Sequence, residues 1–90
     1  MAAEPITEYV ITEHAALEMN RRGIPQDIVR QVLNAPEQRH GVRIGRDVLQ
    51  SRIVLPNDRI YLVRVFVDVD RQPAEVVTVY RTSKIDKYWR

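Results

Sequence analysis

Residues 12 to 33 read TEHAALEMNRRGIPQDIVRQVL, and this stretch decides the fold. At about 100° of rotation per residue, Ala15, Ala16, Met19 and Gly23 share one side of a first helix, which is expected to face the core. His14, Glu18 and Arg21 share the opposite side at spacings that let their side chains meet. Thr12 suits the N-cap, Glu13 the positive end of the helix dipole, and Arg21 with Arg22 its negative end. Gly23 stops this helix. Ile24, Ile28, Val29, Val32 and Leu33 then form the apolar stripe of a second helix that starts at Pro25 and leaves through Asn34-Ala35-Pro36. Two short helices therefore meet at one tight corner.

Outward from the corner, the chain is read as strands. Residues 6 to 11, ITEYVI, read as a short strand or an extended arm before the first helix. The run RHGVRIGR carries Arg39, His40, Arg43 and Arg46 around two glycines and reads as a strand or loop with a basic edge. Residues 47 to 55 alternate as a strand, and Pro56-Asn57-Asp58 turns the chain. Residues 59 to 69, RIYLVRVFVDV, form the most apolar candidate. They set Tyr61, Val63, Val65, Val67 and Val69 on one face and Ile60, Leu62, Arg64 and Phe66 on the other. Residues 70 to 73 turn again, and EVVTVYR at 75 to 81 returns as a strand. In the tail, Ser83 is a candidate cap with Asp86 three residues on, and a helical turn is expected to pack Ile85 and Trp89 on the sheet. The expected class is α+β: two N-terminal helices on a mostly antiparallel sheet of three to four strands, with Ala15, Met19, Ile28, Val32, Leu62 and Phe66 in the core.

At 90 residues, a single domain (1–90) with one core is expected. The chain has no cysteine, so neither disulfides nor thiolate metal sites hold it, which suits a reducing cytoplasm. The opening MAAEPITEYV lacks a basic segment followed by an apolar run, and no stretch reaches the roughly 20 apolar residues of a membrane span. An unprocessed cytoplasmic protein without membrane contact is the expectation. Formal net charge is +2 and the isoelectric point about 9.3, which admits RNA as a partner without demanding it.

Candidate chemistry is sparse. There is no phosphate-cradling glycine loop, no nucleophile elbow and no histidine pair at metal-ligand spacing, so neither a metal nor a cofactor is expected. Only His14 and His40 titrate near neutral pH without help, at a reference value of about 6.5. His14 reads either as a capping or surface residue or as a proton-transfer group, with Glu18 solvated, ion-paired or orienting it. Arg21 lies nearer His14 on the helical projection, while Arg22 sits beside the Gly23 corner, suited to clamping carbonyls or a carboxylate.

Arg64 interrupts an apolar strand and must face solvent, pair with a carboxylate or line a cleft, because an unpartnered buried charge is costly. Arg52 and Arg81 sit in neighbouring strands, so the three arginines are expected on one sheet face. Such a face would bind phosphate, or be simply the wet side of an antiparallel sheet. Thr78 and Tyr80 share a face of the last strand, with hydroxyls for a substrate or as ordinary strand formers. Lys84 adds a cation in the tail, where Tyr88 and Trp89 either stack bases or dock on the core.

Thr12, His14-Ala15, Met19 and Arg22-Gly23-Ile24, followed by Leu33, Pro36 and the strand Val77 to Tyr80, carry a resemblance. The chain looks like the bacterial domain of unknown function numbered 4258, which in turn distantly resembles the small RelE-like and barnase-like ribonuclease toxins. That resemblance covers most of the chain and implies a metal-independent, toxin-like endoribonuclease in which 2'-hydroxyl attack cuts RNA. It implies His14, Arg22, Arg64 and Tyr80 as catalytic residues, Arg21, Arg52, Thr78, Arg81 and Lys84 as substrate-binding residues, and a cognate antitoxin or inhibitor protein as a partner. The alternative is a non-catalytic module that recognises nucleic acid or a partner protein.

Overall fold

The helical corner is built by local hydrogen bonds. The Thr12 hydroxyl oxygen accepts from the Ala15 N–H at 3.2 Å and caps α1 (Glu13–Arg21). Gly23 takes a left-handed φ of +65°, with its N–H donating to the Asn20 carbonyl and that of Ile24 to the Met19 carbonyl, which is the Schellman closure of a helix. The same turn brings Ile24 onto the core beside Met19. Pro25 then starts α2 (Gln26–Asn34), whose Val29, Val32 and Leu33 are wholly buried.

The computed structural model describes residues 3–90. It contains β1 (Tyr9–Ile11), α1, α2, β2 (Gln38–Arg43), β3 (Arg46–Val54), β4 (Ile60–Asp68), β5 (Ala74–Thr82) and α3 (Ile85–Tyr88). The fold is α+β, but its single sheet is five-stranded and mixed, in the order β1-β5-β4-β3-β2, and a third helix follows it. Three pairings are antiparallel, and β1 runs parallel to β5 at the edge. The expected three or four strands thus become five: the basic run is edge strand β2, and the N-terminal arm pairs over three residues. Among the described residues no helix is long and apolar enough to cross a membrane.

Turn chemistry fixes the hairpins. Gly45 (φ +81°) closes the β2–β3 turn, where a side chain would also collide with the Asp70 carboxylate. The β3–β4 turn at Pro56-Asn57-Asp58 is held by the Asn57 side-chain oxygen, which accepts from the Arg59 N–H at 3.0 Å. Val65 pairs with Val79 and Val67 with Val76, so Val77 is an extra residue that bulges β5.

Both helices pack on one face of the sheet. Leu49 and Ile53 of β3, Val63, Val65 and Val67 of β4, and Val76 and Val79 of β5 meet Ala15, Met19, Val29, Val32 and Leu33 there. The two faces of β4 divide as the alternation predicts, but the core lies on the valine side. Leu62 and Phe66 point to the opposite face, where Leu62 is buried and Phe66 half-buried against Tyr80. Ile28 only borders the core. Ala16 and Gly23 are exposed, contrary to the helix projection, because α1 is turned so that Glu18, its side chain only 12% exposed, flanks Ala15 and Met19 in place of Ala16. Ser83 does not cap α3; Lys84 occupies that position, and the Lys84 N–H donates to the Thr82 hydroxyl at 3.1 Å.

Met19 is 7% exposed and is one of two buried residues with which α1 holds the sheet. Met19→Ala is therefore expected to lower unfolding free energy by about 2 to 5 kcal/mol, the range for buried Met truncation. Chemical denaturation checks this, and an unchanged midpoint would contradict the packing described.

Candidate anion site on the second sheet face

Strand register sets Gln38, Gln50, Arg64 and Tyr80 abreast across β2, β3, β4 and β5. Because side chains alternate along each strand, all four project from the face opposite α1 and α2. They form a continuous chain of contacts. The Gln50 amide donates to Gln38 Oε1 at 2.8 Å, its Oε1 accepts from Arg64 Nε at 2.8 Å, and Arg64 Nη1 donates to the Tyr80 hydroxyl oxygen at 2.6 Å.

Arg64 is 9% exposed, and no carboxylate pairs with it among the described residues. Its guanidinium lies 4.4 Å from the ring centre of Tyr88, 5.3 Å from Phe66 and 5.6 Å from Tyr80. Aromatic faces offset part of the desolvation cost, by about 2 kcal/mol each at best. They supply no negative charge. Of the fates expected of a charge in an apolar strand, Arg64 takes neither solvent nor a carboxylate; neutral groups and aromatic rings hold it.

A second guanidinium reaches the same tyrosine. Arg22, at the end of α1, lies 6.0 Å from the Tyr80 ring centre while its Nε donates to Glu18 Oε2 at 2.8 Å. That hydrogen bond chiefly holds the Glu18 carboxyl below its ordinary value; burial opposes it, and the charges of Arg21, Arg22 and His14 add to it. Of the two neighbouring arginines it is Arg22 that meets the sheet, clamping a carboxylate. Arg21 is largely exposed and pairs with Glu18 at 3.4 Å. His14 is exposed, one turn before Glu18, and its side chain makes no hydrogen bond among the described residues.

The remaining candidates divide. Thr78 lies on the Tyr80 side of β5, opposite Phe66. Arg52 shares the Arg64 face, but Glu37 holds it at 2.9 Å and it stacks over Trp89 at 4.2 Å. Arg81 does not join them: it pairs across from Val63, on the helix side, and lies 4.5 Å over Tyr61. Once Tyr80 stands beside Arg64, its neighbour in a strand must point the other way. Lys84 is exposed at the start of α3.

Three participants were missed as site residues. Gln50 and Gln38 hold the row together, and a glutamine inside the apolar run of β3 is the same signal that marked Arg64 in β4. His40 projects on the same face beside the row. Burial first, then the charges of Arg90 and Arg64, push its imidazole below the ordinary histidine value against the pull of Asp47. The tail closes one side of the site, since Gln50 also donates to the Tyr88 carbonyl at 3.1 Å. Trp89 docks on Arg52, as a tail that packs its aromatics would. No family model, curated protein or solved structure matches the chain.

Proposed function

We propose that the domain is a small metal-independent endoribonuclease, related to the family its helical corner resembles. The observation that carries this reading is Arg64, a buried guanidinium held by an amide and a phenol instead of a carboxylate, with Arg22 6.0 Å from the ring centre of the same phenol. A cation kept without a counter-ion suits a phosphodiester. Because the Tyr80 oxygen accepts from Arg64, its own hydroxyl proton is free to point at a phosphate oxygen.

In the reaction, the ribose 2'-oxygen attacks the adjacent phosphorus as His14 takes its proton. The bond from phosphorus to the 5'-oxygen then breaks, leaving a 2',3'-cyclic phosphate and a 5'-oxygen that takes a proton from water to become a hydroxyl. Arg64 and Arg22 stabilise the charge that builds on the non-bridging oxygens. Thr78 lies beside the scissile phosphate, and the exposed Arg21 and Lys84 are left for flanking ones. A cognate inhibitor protein of toxin-like type would act by covering this face.

The second reading is a non-catalytic nucleic-acid or protein-binding module, favoured by His14 making no hydrogen bond to the Arg64–Tyr80 pair. Incubating the purified chain with RNA in excess chelator separates the two. Cleavage with 2',3'-cyclic phosphate ends is expected; binding without cleavage would leave the nucleic-acid module, and neither would remove both RNA readings and leave a protein-binding module.

A further inference from the structure

We infer that Gln50 is the positioning residue of the phosphate seat: it fixes the Arg64 guanidinium while leaving its charge unspent. This rests on the reading of Arg64 as a phosphate-binding group. Gln50 is wholly buried and its polar capacity is committed, Oε1 to Arg64 and the amide hydrogens to Gln38 Oε1 and the Tyr88 carbonyl. The arrangement has one polarity. Gln38 is itself oriented by the main chain of Arg90, accepting from the Arg90 N–H at 3.1 Å and donating to the Arg90 carbonyl at 2.6 Å. Its oxygen must therefore face Gln50, the Gln50 amide must face that oxygen, and the Gln50 oxygen must face Arg64. Reversing the Gln50 amide would set N–H groups against a guanidinium and an oxygen against two acceptors.

The residue type is what matters. Three other arginines on this sheet are held by acids: Arg39 by Asp47, Arg46 by Asp68 and Arg52 by Glu37. A glutamate at position 50 would reach Arg64 equally well, but it would neutralise it and would turn oxygens on Gln38 and Tyr88. A hydrocarbon would leave the charge and lose the aim. Only an amide both aims and spares the cation.

The test is binding of a fluorescent, uncleavable 2'-deoxy single strand by the full chain, across a salt series, with melting temperature read on each variant. Gln50→Glu is expected to weaken binding at least tenfold and to flatten the salt dependence by about 0.7, the slope for one phosphate on a single strand. Gln50→Leu, which keeps the cation free, is expected to lose affinity severalfold at an unchanged slope. Arg64→Ala should match Gln50→Glu. Wild-type binding by Gln50→Glu beside weak binding by Arg64→Ala would overturn the role of Gln50 alone. Equal losses in both Gln50 variants at wild-type slope, tracking melting temperature, would reduce Gln50 to a structural residue and overturn it too. Wild-type binding by Arg64→Ala would overturn the phosphate seat and this inference with it.

Discussion

His14→Ala is expected to lower the rate of RNA cleavage by roughly 10² to 10⁴ while leaving RNA affinity and folding close to wild type, the signature of a lost proton-transfer group. The fold makes this a clean test. The capping role that competed for His14 belongs to Thr12, whose hydroxyl oxygen accepts from Ala15, so truncating His14 removes no cap. Its side chain is exposed and carries no hydrogen bond among the described residues, and substitutions of that kind shift stability by about 0.5 kcal/mol or less. A large fall in rate could then not be a fall in folded protein. Cleavage and thermal midpoint should be read on the same preparation. Growth arrest on expression, absent in the variant, should be scored beside them in case the substrate is a structured or ribosome-bound RNA. A wild-type rate in His14→Ala would end the assignment of this residue and turn attention to His40, the imidazole that lies beside the Arg64 row.

What could be read from the chain followed the range of the interactions involved. The helical corner was legible because Thr12, Gly23 and Pro25 act within a few residues of themselves. The faces of β4 were legible because alternation is local as well. Ala16 escapes because periodicity tells which residues are neighbours on a helix, and not how the helix is turned on the sheet: Glu18 lies nearer the sheet than Ala16 does. The parallel pairing of β1 with β5 was out of reach: three residues carry no period, and their partner lies more than sixty positions on. Register was the decisive unknown for the site. It brought Tyr80 beside Arg64 and so sent Arg81 to the core side, and it made a row of Gln38 and Gln50 that no spacing along the chain announces. A charge in an apolar strand needs an explanation and marks Arg64; Gln50, uncharged, gives a weaker signal in the same setting.

Arg64→Met is expected to change stability little and to abolish most of the chemistry. On the side of the fold, two opposing terms nearly cancel. The desolvated guanidinium costs several kcal/mol that no carboxylate returns. Against that stand two charge-assisted hydrogen bonds of about 1.5 to 3 kcal/mol each and contacts with three aromatic rings. Methionine keeps most of the stem and offers sulfur to the same rings, while Gln50 Oε1 loses its donor at about 1 to 3 kcal/mol. A net change within about 2 kcal/mol follows. On the side of function nothing offsets the loss, because charge developing on the phosphate oxygens would meet a thioether. Removing one such donor lowers turnover by about 10² to 10³. Single-turnover cleavage and chemical denaturation on one sample measure both. If Arg64 were there to hold the sheet, its loss would cost its two charge-assisted hydrogen bonds in full, about 3 to 6 kcal/mol together, and cleavage would fall only with the folded fraction. A stable, inactive Arg64→Met is the result that assigns this arginine to an anion, because the fold would then have lost nothing by its removal while the chemistry had lost its cation.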